Sequence, residues 1–294
     1  MSLDLDHLRQ WIGRSETRVE ALAPFPANAL AATLDRADPP YEAGTALPPL
    51  WHWLHFLPVS PLAEAGPDGH PARGGFLPPV PLPRRMWAGS RLTFLAPLVI
   101  GETATRISTV TRIEHKAGKT GDLVFVTVRH EIAGSAGMAI EEEHDIVYRG
   151  LPPPDAPPAK PMPAPGGAEW SFPVRPDPVL LFRYSALTFN SHRIHYDLDY
   201  VTREEGYPGL VVHGPLIATL LLDALRRKFP DQLVNQFSFR ALAPTFHIDS
   251  FSVHGRLDGP ERAQLWAEKS GQLTMEAQAT FSVPGPADRP PTRT

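Results

Sequence analysis

The chain has 294 residues, 42% of them hydrophobic and 20% charged, with a formal net charge of −4 and no cysteine. The missing cysteines exclude disulfides, thiolate nucleophiles, Cys-ligated zinc and iron–sulfur clusters. Scattered Lys and Arg leave no footprint for nucleic acid, and no run approaches the roughly 18 apolar residues that span a bilayer, so neither nucleic acid nor membrane is expected as a partner.

The opening MSLDLDHLRQWIGRSE is polar and lacks the apolar core of a secretory signal, which points to the cytoplasm. The length suits one large domain or two of about 150 residues. LPPLWHWLHFLPV, with Pro48, Pro49 and Pro58 around an aromatic centre, is the candidate helix of the first half. RLTFLAPL (91–98) follows, and STVTRIEHKAGKTGDLVFVTVRHEI (108–132) reads as strand, turn, strand. LPPPDAPPAKPMPAPGG (151–167) can be neither helix nor central strand and divides the chain near its middle.

Beyond it, RYSALTF (183–189) alternates as a strand does, and NSHRIHYDLDYV (190–201) breaks into a polar turn or short helix. YPGLVVHGPL (207–216) runs into GPLIATLLLDALRRKF, where Leu216, Ile217, Leu220, Leu221, Ala224 and Leu225 have helical spacing and Pro215 occupies the permitted first turn. QFSFRALAPTF (236–246) repeats the order of RLTFLAPL, with Pro97 and Pro244 separated by 244 − 97 = 147. FSVHGRLDGPERAQLWAEKSGQLTMEAQATF again reads as strand, turn, strand, and Gly121 and Gly271 differ by 271 − 121 = 150. Two offsets near half the length suggest a duplicated unit: a long antiparallel sheet with one principal helix.

The candidate chemistry lies in 188–216. Asn190 and His195 could converge on one water, the imidazole moving a proton near neutrality, although a turn asparagine and a satisfied histidine explain the same spacing. His192 and His195 could share a helix face, but no acidic third ligand stands at HExxH spacing, so no metal is expected. Ser185 and Ser191 lie in no G-x-S-x-G elbow. Gly214 opens the apolar helix and would let a ligand approach free N–H groups at the positive end of its dipole, as would a plain N-cap region.

At these residues the sequence resembles the MaoC-like, R-specific enoyl-CoA hydratases, whose motif is an acid or amide, His five residues later, then V-H-G at the central helix. Asn190, His195 and VVHGPL match in order and spacing. The wider pattern is most similar to the type 2 hydroxyacyl-thioester dehydratase branch. In the first half, LWHWLHFLP, DGHPARGGFLPPVPLPRRMWAGSRL and EEEHDIVYR resemble the N-terminal domain found with mesaconyl-CoA and itaconyl-CoA hydratases.

The resemblance implies an α+β double hot-dog fold, two curved antiparallel sheets each wrapped around a central helix. The units would be 1–150, a 151–167 linker, and 168–294 with the active site. It implies reversible hydration of a 2-enoyl-CoA, with a short dicarboxylic acyl group such as mesaconyl or itaconyl preferred. Gly214 N–H would polarise the thioester carbonyl and His213 would line the substrate. Many relatives carry Asp where this chain has Asn190; an amide is no base, so Asn190 would aim the water and His195 would move the protons. Subtracting 148 from Asn190 lands near Ala43, where no Asn and His pair exists, so the first half is expected to be catalytically empty. HPARGGFLPPVPLPRRMW would lie near the site, with Arg84 and Arg85 on CoA phosphates or a substrate carboxylate. No cofactor is expected beyond the CoA of the substrate, and a homodimer is allowed. An acyl-CoA thioesterase of the same fold, or a non-catalytic acyl-thioester binder, stays open.

Overall fold

The computed structural model describes residues 3–118, 121–150 and 160–282. Its first half contains α1 (Leu5–Arg9), β1 (Ser15–Ala21), α2 (Pro24–Thr33), β2 (Arg84–Phe94), β3 (Thr103–Gly118), β4 (Gly121–Gly134) and β5 (Gly137–Arg149). The second contains β6 (Trp170–Val174), α3 (Pro178–Leu187), α4 (Leu198–Arg203), α5 (Gly214–Lys228), β7 (Leu233–Ala241), β8 (Phe251–Leu257), β9 (Arg262–Lys269) and β10 (Gln272–Ser282). The ten strands form one sheet in the order β1-β3-β4-β5-β2-β7-β10-β9-β8-β6, antiparallel throughout.

The halves join through β2 and β7, the strands that carry RLTF and QFSF. Arg91 faces Ser238, and 238 − 91 = 147, the offset of the two prolines. A residue facing its own counterpart marks a pseudo-two-fold axis. Outward from it, β5, β4, β3 and β1 mirror β10, β9, β8 and β6. The offset of 150 fails this test, because Gly121 opens β4 whereas Gly271 stands at the entry to β10, the counterpart of β5. FSVHG through QATF also holds three strands, β8 to β10, where two were expected. Gly121, Gly137 and Gly271 all have positive φ (106°, 105° and 79°), so a glycine before an alternating run marks any tight hairpin here and does not distinguish one from another.

The helix α5 forms as its apolar spacing predicts and buries Leu216, Ile217, Leu221, Leu222, Ala224 and Leu225 against β8, β9 and β10. RYSALTF is not a strand: most of it closes α3, which starts at Pro178 with Asp177 accepting a hydrogen bond from Leu180 N at 2.8 Å. That cap and the burial of Leu181, Tyr184 and Ser185 at i, i+3 and i+4 override the short alternation.

Among its described residues the first half has no long central helix. Pro48, Pro49 and Pro58 confine the aromatic segment to a single 3-10 turn, Trp51–Leu54, whose Trp51, His52 and Leu54 are buried. The longest helix described in this half is α2, which contacts α3. The position matching the start of α5 is 214 − 147 = 67, and residues 67–83 hold six prolines and three glycines, a composition no helix tolerates. From this loop Phe76, Leu77, Val80 and Leu82 pack with α1 against Val124, Val126 and Tyr148 as a small second core, while the main core runs through both halves.

The 151–167 connector lies outside the described residues as far as 159. Among the described residues no helix is long and apolar enough to cross a membrane.

Candidate active site

After α3 the chain turns through Phe189, at a positive φ of 48°, and Asn190 N–H donates to Ser185 O at 2.8 Å. Asn190 Oδ1 accepts from His192 N at 3.1 Å, which closes the turn into a 3-10 element at Arg193–His195. His195 is buried, and its Nδ1 lies 2.7 Å from Val211 O. A carbonyl only accepts, so Nδ1 carries the proton and Nε2 keeps its lone pair. Burial pushes the His195 pKa down to about 4 even though Val211 O favours the charged form. At neutral pH His195 is a neutral acceptor.

Its imidazole stacks on His213 with ring centroids 3.6 Å apart and planes 18° off parallel. His213 caps α5 and is itself buried, its Nε2 2.9 Å from Ser185 Oγ. Expected on the substrate, His213 instead backs His195. The stack sets the His195 ring beside the mouth of α5, where Pro215 offers no N–H and the Gly214 amide stands first. Gly214 is half-buried, and a Cβ there would make ordinary van der Waals contact with Met275 Cε and Trp87 O, both at 3.9 Å. An oxyanion there would meet an N–H and the positive helix end.

A second wall comes from the first half. Gly69, at φ +87°, presses on the Asn190–His195 turn so closely that a Cβ would lie 1.9 Å from Ser191 O. Ser191 Oγ donates to Gly69 O at 2.5 Å, Arg193 N to Asp68 O at 2.9 Å and Arg193 Nη1 to Pro67 O at 3.0 Å. This docking brings the His70 ring to 4.1 Å from His192, which lies 5.6 Å from His195. Asp68, His70 and His192 hold donor atoms within 4.8 Å of one another, a set that could ligate a metal. Burial favours the neutral acid at Asp68, but hydrogen bonds from the His70 ring and backbone and the His70 charge outweigh it and hold the carboxyl well below its usual range. Burial lowers the pKa values of His70 and His192. Sequence reasoning set the loop that begins at His70 near the site but gave neither Asp68 nor His70 a role; the trace of them was D-G-H, a polar pair around a glycine able to take positive φ.

The two arginines part. Arg84 Nε donates to Glu205 Oε2 at 2.9 Å, also reaches Glu205 O, and covers the Tyr207 ring, so it ties β2 to the loop before α5. Arg85 has no ion pair among the described residues; it lies opposite Tyr148 in the β2–β5 pairing, and its charge helps depress His70 and His192. Tyr148 Oη is buried without a hydrogen-bond partner.

No pair like Asn190 and His195 stands near Ala43, but the first half encloses a polar group that sequence reasoning missed. Buried Glu142 accepts from Ser90 Oγ at 2.9 Å and Trp53 Nε1 at 3.1 Å, with His52 Nε2 at 3.2 Å. On the same face of β5, His144 stacks on Trp87 at 3.8 Å, and burial pushes its pKa down to about 4.

A family model described as hydroxyacyl-thioester dehydratase type 2 matches residues 50–247. Mesaconyl-C(4)-CoA hydratase of Chloroflexus aurantiacus is 48% identical over 268 residues, 88% of this chain and 91% of that one. The mitochondrial hydroxyacyl-thioester dehydratase type 2 of Schizosaccharomyces pombe is 31% identical over 253 residues, 76% and 81% of the two chains. Among solved structures, a MaoC-like dehydratase from Phytophthora capsici superposes with a TM-score of 0.64 at 14% identity, covering 96% of this chain and all of that one. Another MaoC-like dehydratase reaches 0.69 at 14% identity, covering 93% and 98%. These likenesses show the fold, in keeping with the double hot dog, here with the central helix in the second half.

Proposed function

The chain belongs to the hydroxyacyl-thioester dehydratase type 2 family, and on that premise we propose how it works and on which acyl group. It is a hydro-lyase that interconverts a 2-enoyl-CoA and a 3-hydroxyacyl-CoA. The observation that carries the mechanism is the His195–His213 stack, which sets a neutral imidazole with a free Nε2 beside the Gly214 amide at the start of α5.

The thioester carbonyl accepts from Gly214 N–H, and the negative charge that grows on its oxygen as C3 is attacked is met there. Water is held by His195 Nε2, with Asn190 shaping the turn through its bond to His192 N. Asn190 has no basic atom, so its part is orientation. The chemistry calls on no group beyond the side chains and the CoA thioester itself. A short dicarboxylic acyl group is supported by the unpaired Arg85 beside the histidines, an arginine suited to a carboxylate.

The test mixes the enzyme with crotonyl-CoA and mesaconyl-CoA while following the conjugated enoyl-thioester absorbance and a thiol reagent together. Loss of absorbance with CoA retained identifies hydration. Release of free thiol would instead identify a thioesterase, and binding without either signal a non-catalytic binder.

A further inference from the structure

We propose that His70, supplied by the first half and oriented by Asp68, is the acid/base residue of the hydration, acting on a water that His195 holds from the other side. The inference rests on the hydratase reading and changes which atoms carry its proton.

Hydration needs a proton taken from water and a proton given to C2, and Asn190 can do neither. His195 is placed to accept, yet its only polar partner is the Val211 carbonyl, and it lies buried on another neutral imidazole. An imidazolium there has no anion beside it. His70 has one: its Nδ1 lies 3.1 Å from Asp68 Oδ2, and its backbone N–H donates to Asp68 Oδ1 at 3.0 Å. Both carboxylate oxygens are thereby engaged by His70, so the cluster of Asp68, His70 and His192 is built to orient an imidazole rather than to ligate a metal.

The carboxylate fixes the tautomer, with the proton on Nδ1 and a lone pair on Nε2. His70 and His195 are then two acceptors in one site, and a water shared between them donates one hydrogen to each and turns a lone pair to C3. In the hydration direction the water O–H bond breaks toward His70 Nε2 as oxygen bonds to C3. The C2=C3 π pair passes into the thioester enolate at Gly214 N–H. The enolate then collapses and C2 takes the proton back from the His70 imidazolium, so one water is consumed and the enzyme is restored. Charge is always paired: Asp68 with the imidazolium, and the helix mouth with the enolate.

The geometry that delivers His70 is specific. Gly69 fits against Ser191 O only without a Cβ, and Ser191 and Arg193 of the catalytic turn clasp the backbone of Pro67, Asp68 and Gly69. No such clasp is needed to cover a surface turn.

The test uses the full chain and crotonyl-CoA. His70→Ala should lower kcat by about 10²- to 10³-fold, with imidazole in the buffer restoring part of the rate. His70→Gln, which keeps an N–H donor toward Asp68 but no base, should lose as much kcat while retaining the wild-type melting temperature. Asp68→Asn should shift the acid limb of kcat/KM to lower pH, since removing the carboxylate makes His70 harder to protonate. The other charged or titratable groups around His70 are Arg73, Arg85, His192 and His195, and all remain in that variant. Near wild-type kcat in His70→Gln would overturn the proposal, as would a rate loss without imidazole rescue and with the acid limb unmoved in Asp68→Asn. A wild-type enzyme inert toward every enoyl-CoA would overturn the hydratase reading itself, a result distinct from either.

Discussion

The mouth of α5 and its counterpart in the first half, residues 67–83, occupy matching places about the β2–β7 axis and do opposite things. In the second half an apolar helix starts at Gly214, with His213 as its N-cap. In the first half prolines forbid the helix, and the loop instead crosses to lean on the turn at Asn190–His195 of the other half. The half without the long helix still touches the other half's site, through backbone contacts from Pro67, Asp68 and Gly69. A helix holds its N-terminus in place, whereas a Gly- and Pro-rich loop can carry a polar pair such as Asp68 and His70 to where the neighbouring half needs it.

The contrast breaks most sharply at the histidines of the second half. His195→Ala should lower kcat by about 10³-fold or more without changing the melting temperature by much, as steady-state rates and calorimetry would show. A modest loss would move the centre of the chemistry out of the second half altogether.

The first half should show the reverse pattern at Glu142. Glu142→Ala leaves Ser90, His52 and Trp53 without their buried partner and should cost about 3 kcal/mol in urea unfolding, while the rate per folded molecule changes little. A large loss of rate with stability intact would make this polar group part of the chemistry.

Arg85 should give a smaller effect. Arg85→Ala should raise KM for mesaconyl-CoA by about tenfold, and for crotonyl-CoA far less, because only the former acyl group carries a free carboxylate. Equal effects on both substrates would assign Arg85 to the CoA moiety.

The gentlest test is pH. His195 and His144 fall from the usual 6.5 to about 4 through burial, so between those values the unfolded chain binds protons that the folded chain refuses. Stability should therefore decline as pH drops from 6.5 toward 4, seen as a falling melting temperature. In His195→Gln the decline should be shallower by that residue's share.

Much of this was legible in the chain itself. The 3.6-residue apolar period and Pro215 specify α5, because both act within one helix. The Pro97–Pro244 offset located the duplication and, through Arg91 and Ser238, the register of the central strands. The Asn190–His195–Gly214 spacing marked the segment that the structure draws together, since all three lie between the end of α3 and the first residue of α5. What misled was short-range pattern without long-range context: RYSALTF alternates for a few residues but belongs to a helix capped at Asp177, and GDLVF resembles GQLTM because every tight hairpin asks for the same residues.

Tertiary structure alone decided the rest. Arg84 and Arg85 are adjacent in sequence, yet one is spent on Glu205 and the other is not, because successive residues of a strand face opposite ways and only packing says what waits on each side. His213 could have touched substrate but lies under His195. Asp68 and His70 stand more than a hundred residues from His195, and no period or motif joins them. They meet because a sheet closed by β2 and β7 sets one half's loop against the other half's turn, a contact between distant segments that a local spacing rule cannot express.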